Sequence, residues 1–241
     1  MGESLTILLK SHPHEFHRVV DFNPETDKLL LLDFTEKNAE LSGDVLSDTE
    51  KFIEYINSSL KKTGALYGIG GYAENRTVYS RSKLFDNDHH FSGTPKGTEP
   101  RRLHLGMDIW GKPHTHVMAP LDGIVHSFAF NNHFGDYGVT IILSHRLAGT
   151  SFYTLYGHLS LDDIKNLQEG NLVKKGDVFA QFGIPVENGH WPPHLHFQII
   201  ADLQGWKGDY PGVCALSEKE KYLSNCPDPD LILQMNRFVG K

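Results

Sequence analysis

With 241 residues, 39% of them hydrophobic, the chain is long enough to bury a sizeable core as one large domain or two modest ones. Its 30 Asp and Glu against 23 Lys and Arg leave a net charge of -7, and no basic stripe offsets it, which argues against nucleic acid as a partner. No run approaches the roughly 20 apolar residues of a membrane span, and MGESLTILLK lacks a basic leader or small-residue cleavage site, so a cytoplasmic location with reduced thiols at Cys214 and Cys226 is expected.

Three short apolar runs open the chain: LTILL at 5–9, FHRVVDF at 16–22 and KLLLLDF at 28–34. Each is bounded by polar or turn-forming residues and reads as a strand. Ser47-Asp48-Thr49-Glu50 is a capping box, after which Phe52, Ile53, Ile56 and Leu60 recur at helical spacing until Gly64 stops the helix. Residues 1–66 therefore read as a small α+β region. Residues 67–100 are polar and glycine-rich with weak periodicity, a texture that fits a linker or a segment covering a cleft. From 101 to 203 the runs APLDGIVHSFAF, GVTIILSHR, TSFYTLYGHLS, GDVFAQFG and PHLHFQIIAD alternate with Gly, Asn and Asp turns, which predicts a mainly β, compact antiparallel domain. The tail, 204–241, carries short helical patterns around 216–223 and 228–237.

Three pieces of the β region carry chemistry. In PHLHF, at 193–197, alternate residues of a strand face one side, so His194 and His196 project together. Alone this is weak, because His114 and His116 have the same spacing in a loop-like stretch, and spacing does not say which of His194 and His196 would touch a metal. In His104-Leu105-Gly106-Met107-Asp108, an imidazole and a carboxylate can converge on one ion if the glycine permits a bend. Mixed nitrogen and oxygen ligation with an open position is what catalytic zinc requires. Tyr156-Gly157-His158-Leu159 adds a further histidine at the end of a strand-like run. The other histidines, including His12, His14 and His17, read as solvated or packing residues.

In this order the pieces resemble the LytM/lysostaphin family of zinc endopeptidases, peptidase family M23, whose pattern is H-x-x-x-D, Y-x-H-L and H-x-H. Gly111 and the runs at 119–125, 138–145 and 173–183 also fall in the family's places, and the resemblance spans about 101–200. It implies a duplicated-hybrid-motif-like β domain that binds Zn2+ through His104, Asp108 and His196. His158 and His194 would be the catalytic proton carriers beside the attacking water. The substrate implied is a peptide of the peptidoglycan type, cleaved at an amide bond. Two departures stand out: Gln198 where the family often has an acid, and NGHWPP at 188–193 in place of a small-residue turn. Both are expected to reshape the groove wall. Two further readings remain: a zinc amidohydrolase acting on a non-wall substrate inside the cell, and a non-catalytic partner-binding module. More loosely, 68–226 is similar to a peptidase-like domain fused between a small-molecule kinase and an aminotransferase. Finally, Gly68–Phe91 could lie across the cleft, with Asn75 nearest the metal's open position.

Overall fold

The computed structural model describes residues 2–86 and 99–240; His89 and His90, part of the expected covering stretch, lie outside them. The first apolar run is not a strand but part of helix α1 (Gly2–Ser11). Leu5 and Leu9 are buried while Ile7 between them is exposed, a spacing of four that five residues were too few to distinguish from alternation. The second run forms no strand either. Its consecutive Val19 and Val20 are both buried, and backbone bonds from His17 to Pro120 and from Met118 to Val19 pin it. Only the third run contains a strand, β1 (Leu29–Leu31).

Helix α2 (Gly43–Ser47) precedes α3 (Thr49–Thr63). Asp48, not Ser47, caps α3, its Oδ1 accepting from Glu50 N at 2.9 Å and Lys51 N at 3.2 Å. Gly64, at φ 69°, ends the helix as expected. The strands that follow are β2 (Tyr67–Gly70), β3 (Arg101–His104), β4 (Met107–Trp110), β5 (His116–Met118), β6 (Gly123–Asn131), β7 (Gly138–Leu147) and β8 (Thr150–Leu159). They continue with β9 (Leu172–Val173), β10 (Val178–Gln181), β11 (His194–Ile200) and β12 (Val213–Ala215), before helices α4 (Lys219–Asn225) and α5 (Asp230–Leu233).

Among the described residues, eight strands form one sheet in the order β1-β2-β4-β11-β8-β7-β6-β9, antiparallel except for the β1–β2 pair. The mainly β antiparallel expectation therefore holds. Tyr67–Gly70 is not a linker, however: β2 pairs with β4, so the N-terminal region continues the sheet. Strands β10 and β5 pair separately, as do β12 and β3.

Strand alternation divides the chemistry from the core. On one face Met107, Ile109, Leu195, Phe197 and Ile199 join the larger apolar cluster. Asp108, Trp110, His194, His196 and Gln198 occupy the alternate positions. There Trp110 packs with Phe34 and Phe52 in a second cluster supplied largely by the N-terminal region.

Candidate metal centre

Register brings the first three residues together. His196 on β11 stands opposite Asp108 on β4, and His104 ends β3 with two residues, Leu105 and Gly106, between it and the start of β4. His104 Nε2 lies 2.9 Å from His196 Nδ1 and 3.3 Å from Asp108 Oδ1, and His196 Nδ1 lies 3.2 Å from the same Oδ1. Bonds of about 2.0–2.1 Å to a tetrahedral ion would separate its ligands by about 3.3–3.4 Å, close to this triangle. Gly106 serves by its size rather than by a bend: a Cβ there would sit 2.4 Å from His196 Cε1.

Hydrogen bonds behind the triangle settle what points into it. His104 Nδ1 donates to the Gly71 carbonyl at 3.0 Å, which leaves Nε2 as a lone pair. Gln198 Nε2 donates to the Pro211 carbonyl at 3.1 Å, which turns Gln198 Oε1 towards His196. His196 Nε2 must then donate to that oxygen, 2.9 Å away, and Nδ1 keeps its lone pair. Two lone pairs and a carboxylate oxygen thus converge with no proton to share. Such a donor set suits a cation and is repulsive without one. Burial and the charge of Arg76 push the His104 pKa down to about 3. Burial opposes ionisation of Asp108, yet the charge of the Arg76 guanidinium beside it favours the carboxylate, and its pKa lies well below the usual range.

His158 and His194 form a second layer, their rings stacked with centroids 4.1 Å apart. His158 Nδ1 donates to the Asn188 carbonyl at 2.8 Å and His194 Nδ1 to that of Pro192 at 2.7 Å, so each ring keeps an unprotonated Nε2. Burial, then neighbouring histidines, lowers the His158 pKa well below its ordinary value, and burial takes His194 to about 4. Both rings are therefore neutral near pH 7 and able to accept a proton. His194 also stacks on Trp110 at 3.8 Å. His158 has φ 65°, a strained conformation for a non-glycine residue of the sort that concentrates at functional sites. All five residues are 6% exposed or less.

Four features escaped the sequence reading. The NGHWPP turn does more than line a groove, because it supplies the two carbonyls that orient His158 and His194. Asn188 holds it through bonds to Gly183 and Trp191. Gln198 is buried behind His196 rather than on a wall, and Tyr137 Oη also approaches His196 Nε2, at 3.4 Å. Asn75 is not near the metal position. Residues 73–76 pair with β3 through Ala73 N to His104 O, His104 N to Glu74 O and Arg76 N to Arg102 O. In that extended stretch Asn75 is exposed, while its neighbour Arg76 is buried and reaches Asp108. The guess missed by one residue, which in a strand means the opposite face. His114 and His116 stay apart from the site, with His114 in a left-handed turn and His116 exposed on β5.

A cavity of about 280 Å³ lies over the centre, lined by Asp108, His158, His194 and His196 together with Tyr79, Phe85, Tyr137 and Trp191. Residues 102–208 match the family model described as Peptidase family M23. A Haemophilus influenzae protein named "Uncharacterized metalloprotease" is 36% identical over 99 residues, which cover 41% of this chain and 18% of that protein. The chain thus spans about a fifth of that curated relative's length. Among solved structures, a zinc-containing peptidase from Vibrio cholerae is 27% identical with a TM-score of 0.33, over 41% of this chain and 27% of that one. The catalytic domain of lysostaphin from Staphylococcus simulans is 19% identical with a TM-score of 0.39, over 70% of this chain and 97% of that one. The family read from the motifs is the family whose model matches.

Proposed function

We propose that the M23-type region, residues 102–208, makes this chain a zinc metallopeptidase that hydrolyses amide bonds in peptides of the peptidoglycan type. The observation that carries the reading is the convergence of His104 Nε2, His196 Nδ1 and Asp108 Oδ1, two lone pairs and a carboxylate oxygen, beside two neutral histidines. His104, Asp108 and His196 would hold the ion. Bound zinc supplies Lewis acidity, polarising a carbonyl and making water easier to deprotonate.

The remaining work belongs to the protein. With Nδ1 of each ring tied to a backbone carbonyl, the Nε2 atoms of His158 and His194 are the groups that can take a proton from water and return one to the leaving amine. Trp110 under His194 fixes that ring in place, and the burial of the whole set strengthens every charge interaction made within it. The aromatic and polar walls of the cavity would seat the peptide on either side of the scissile bond.

The direct test is elemental analysis of the purified chain together with digestion of purified peptidoglycan and short glycine- or alanine-rich peptides. About one zinc per chain is expected, lost in Asp108→Ala because two neutral imidazoles hold the ion poorly without the carboxylate. Full zinc occupancy in Asp108→Ala would overturn the ligand set, and a zinc-loaded chain inert on every peptide would overturn the activity.

A further inference from the structure

Beside the centre lies a charged pair that the ligand and proton-transfer roles leave unused, its Arg76 also lining the cavity. Arg76 Nη1 donates to Asp108 Oδ2 at 2.5 Å, and Arg76 Nε donates to Glu74 Oε2 at 2.7 Å. The Arg76 side chain is 1% exposed and its guanidinium lies 5.1 Å from the centroid of the Phe34 ring. Its backbone is held as firmly, since the 73–76 stretch is hydrogen-bonded to β3, the strand that carries His104. Gly70 faces Asp108 across β2 and β4, and a Cβ there would sit 2.9 Å from the Leu32 carbonyl oxygen and 3.3 Å from Arg76 Nη2, so the backbone and the guanidinium both crowd that position.

The two oxygens of Asp108 are thereby given different partners. Oδ1 faces His104 and His196, and Oδ2 faces Arg76. A free carboxylate beside a divalent ion can bind through one oxygen or both, and the second oxygen would take up a position that a catalytic site must leave open. A charge-assisted bond to a guanidinium competes for that oxygen. Burying an arginine is otherwise a poor source of stability, because the loss of hydration offsets most of the attraction.

We propose that Arg76, steadied by Glu74, is a positioning residue that restricts Asp108 to one-oxygen ligation and so keeps a coordination position free for substrate. The proposal rests on the reading of His104, Asp108 and His196 as a metal site. It assigns a task in the centre to the segment before the M23-type region. Lysine would keep the charge but offer it as a single point rather than a planar fork with separate donors for Oδ2 and Glu74.

Cobalt(II) provides the test, because its visible absorption is strong in four-coordinate sites and weak when coordination rises. The full chain is titrated with Co2+ and the absorption per bound ion is recorded, with circular dichroism to check folding. The unaltered chain should give the intense spectrum. Arg76→Met should still bind cobalt but lose intensity per ion, and Arg76→Lys should recover part of it. Glu74→Gln, at a carboxylate nearer the surface, should lose a smaller part, and it serves as the reading if Arg76→Met does not fold. An unchanged spectrum per ion in the folded variants overturns the proposal, whether or not cobalt affinity falls, since weaker binding alone marks a merely structural role. If the unaltered chain takes up no cobalt, or Asp108→Ala takes up as much, it is the metal site itself that fails.

Discussion

At the scale of single residues, the centre depends on proton positions that are set from outside it. The Pro211 carbonyl orients Gln198, Gln198 Oε1 claims the proton on His196 Nε2, and His196 Nδ1 is left free to face Asp108. Gln198→Leu removes the middle link and lets His196 take the wrong tautomer, so metal affinity should fall by about 10–100-fold, the usual effect of losing such a partner. Competition against a chelator of known affinity measures this, and an unchanged affinity would show that the amide is only a filler. On the proposed reading, ligation and proton transfer belong to different residues. His158→Ala and His194→Ala should keep their zinc while peptide hydrolysis falls by about 10²–10⁴-fold. Loss of zinc from either, by elemental analysis, would mean the roles on β8 and β11 are misassigned. The H-x-x-x-D, Y-x-H-L and H-x-H pieces were legible in the sequence because each is local. Gln198 stood out only as a departure, and nothing in its own neighbourhood reveals that a proline carbonyl 13 positions away decides which way it faces.

Among the elements, α3 governs the site without touching it. Its Phe52 packs against Trp110, whose indole is the platform for His194. Phe52→Ala should lower unfolding stability by about 3–5 kcal/mol through the cavity it leaves. Urea denaturation gives that value, and a loss under about 1 kcal/mol would mean that the cluster collapses to fill the gap. Capping and periodicity made this helix readable from residues 47–64, with the cap displaced by one position. The stretch at 73–76 was not readable in the same way. It contains no apolar alternation to set its phase, and only pairing with β3 determines that Glu74 and Arg76 turn inward while Asn75 turns out.

For the molecule as a whole, the N-terminal region is part of the sheet and of the wall behind the centre. Deleting residues 1–66 would strip β1 from β2, expose the edge of that strand, and remove Phe34 and Phe52 from around Trp110. An exposed edge beside uncovered aromatic surface is an aggregation hazard, so the truncated chain should elute as aggregates in size-exclusion chromatography or melt without cooperativity. A monomeric, cooperatively melting truncation would show that the later strands fold unaided. The cysteines test how closed the layer behind Gln198 is, where Gln198 Nε2 donates to Cys226 Sγ. Cys214 and Cys226 are free and buried, and burial pushes both thiols up to about 12. A thiol reagent at pH 8 should therefore label neither in the native chain and both after denaturation. Rapid native labelling would show that the region around β12 and α4 opens readily.

By itself the sequence determined the β-rich class, the helix before Gly64 and the M23-type motifs that the family model matches. Those are properties of short windows, where spacing, capping and motif order carry the signal. It misassigned the run at 5–9, because a handful of apolar residues fits either period until packing chooses, and the run at 16–22, which takes neither and is held by bonds to 118–120. Only the tertiary structure decided that β2 joins β4, that His196 presents Nδ1, and that Arg76 rather than Asn75 reaches Asp108. Each of these depends on strand pairing or hydrogen bonding between segments distant in the chain. A one-residue change of phase there exchanges the buried face for the exposed one, and no local window records which of the two was taken.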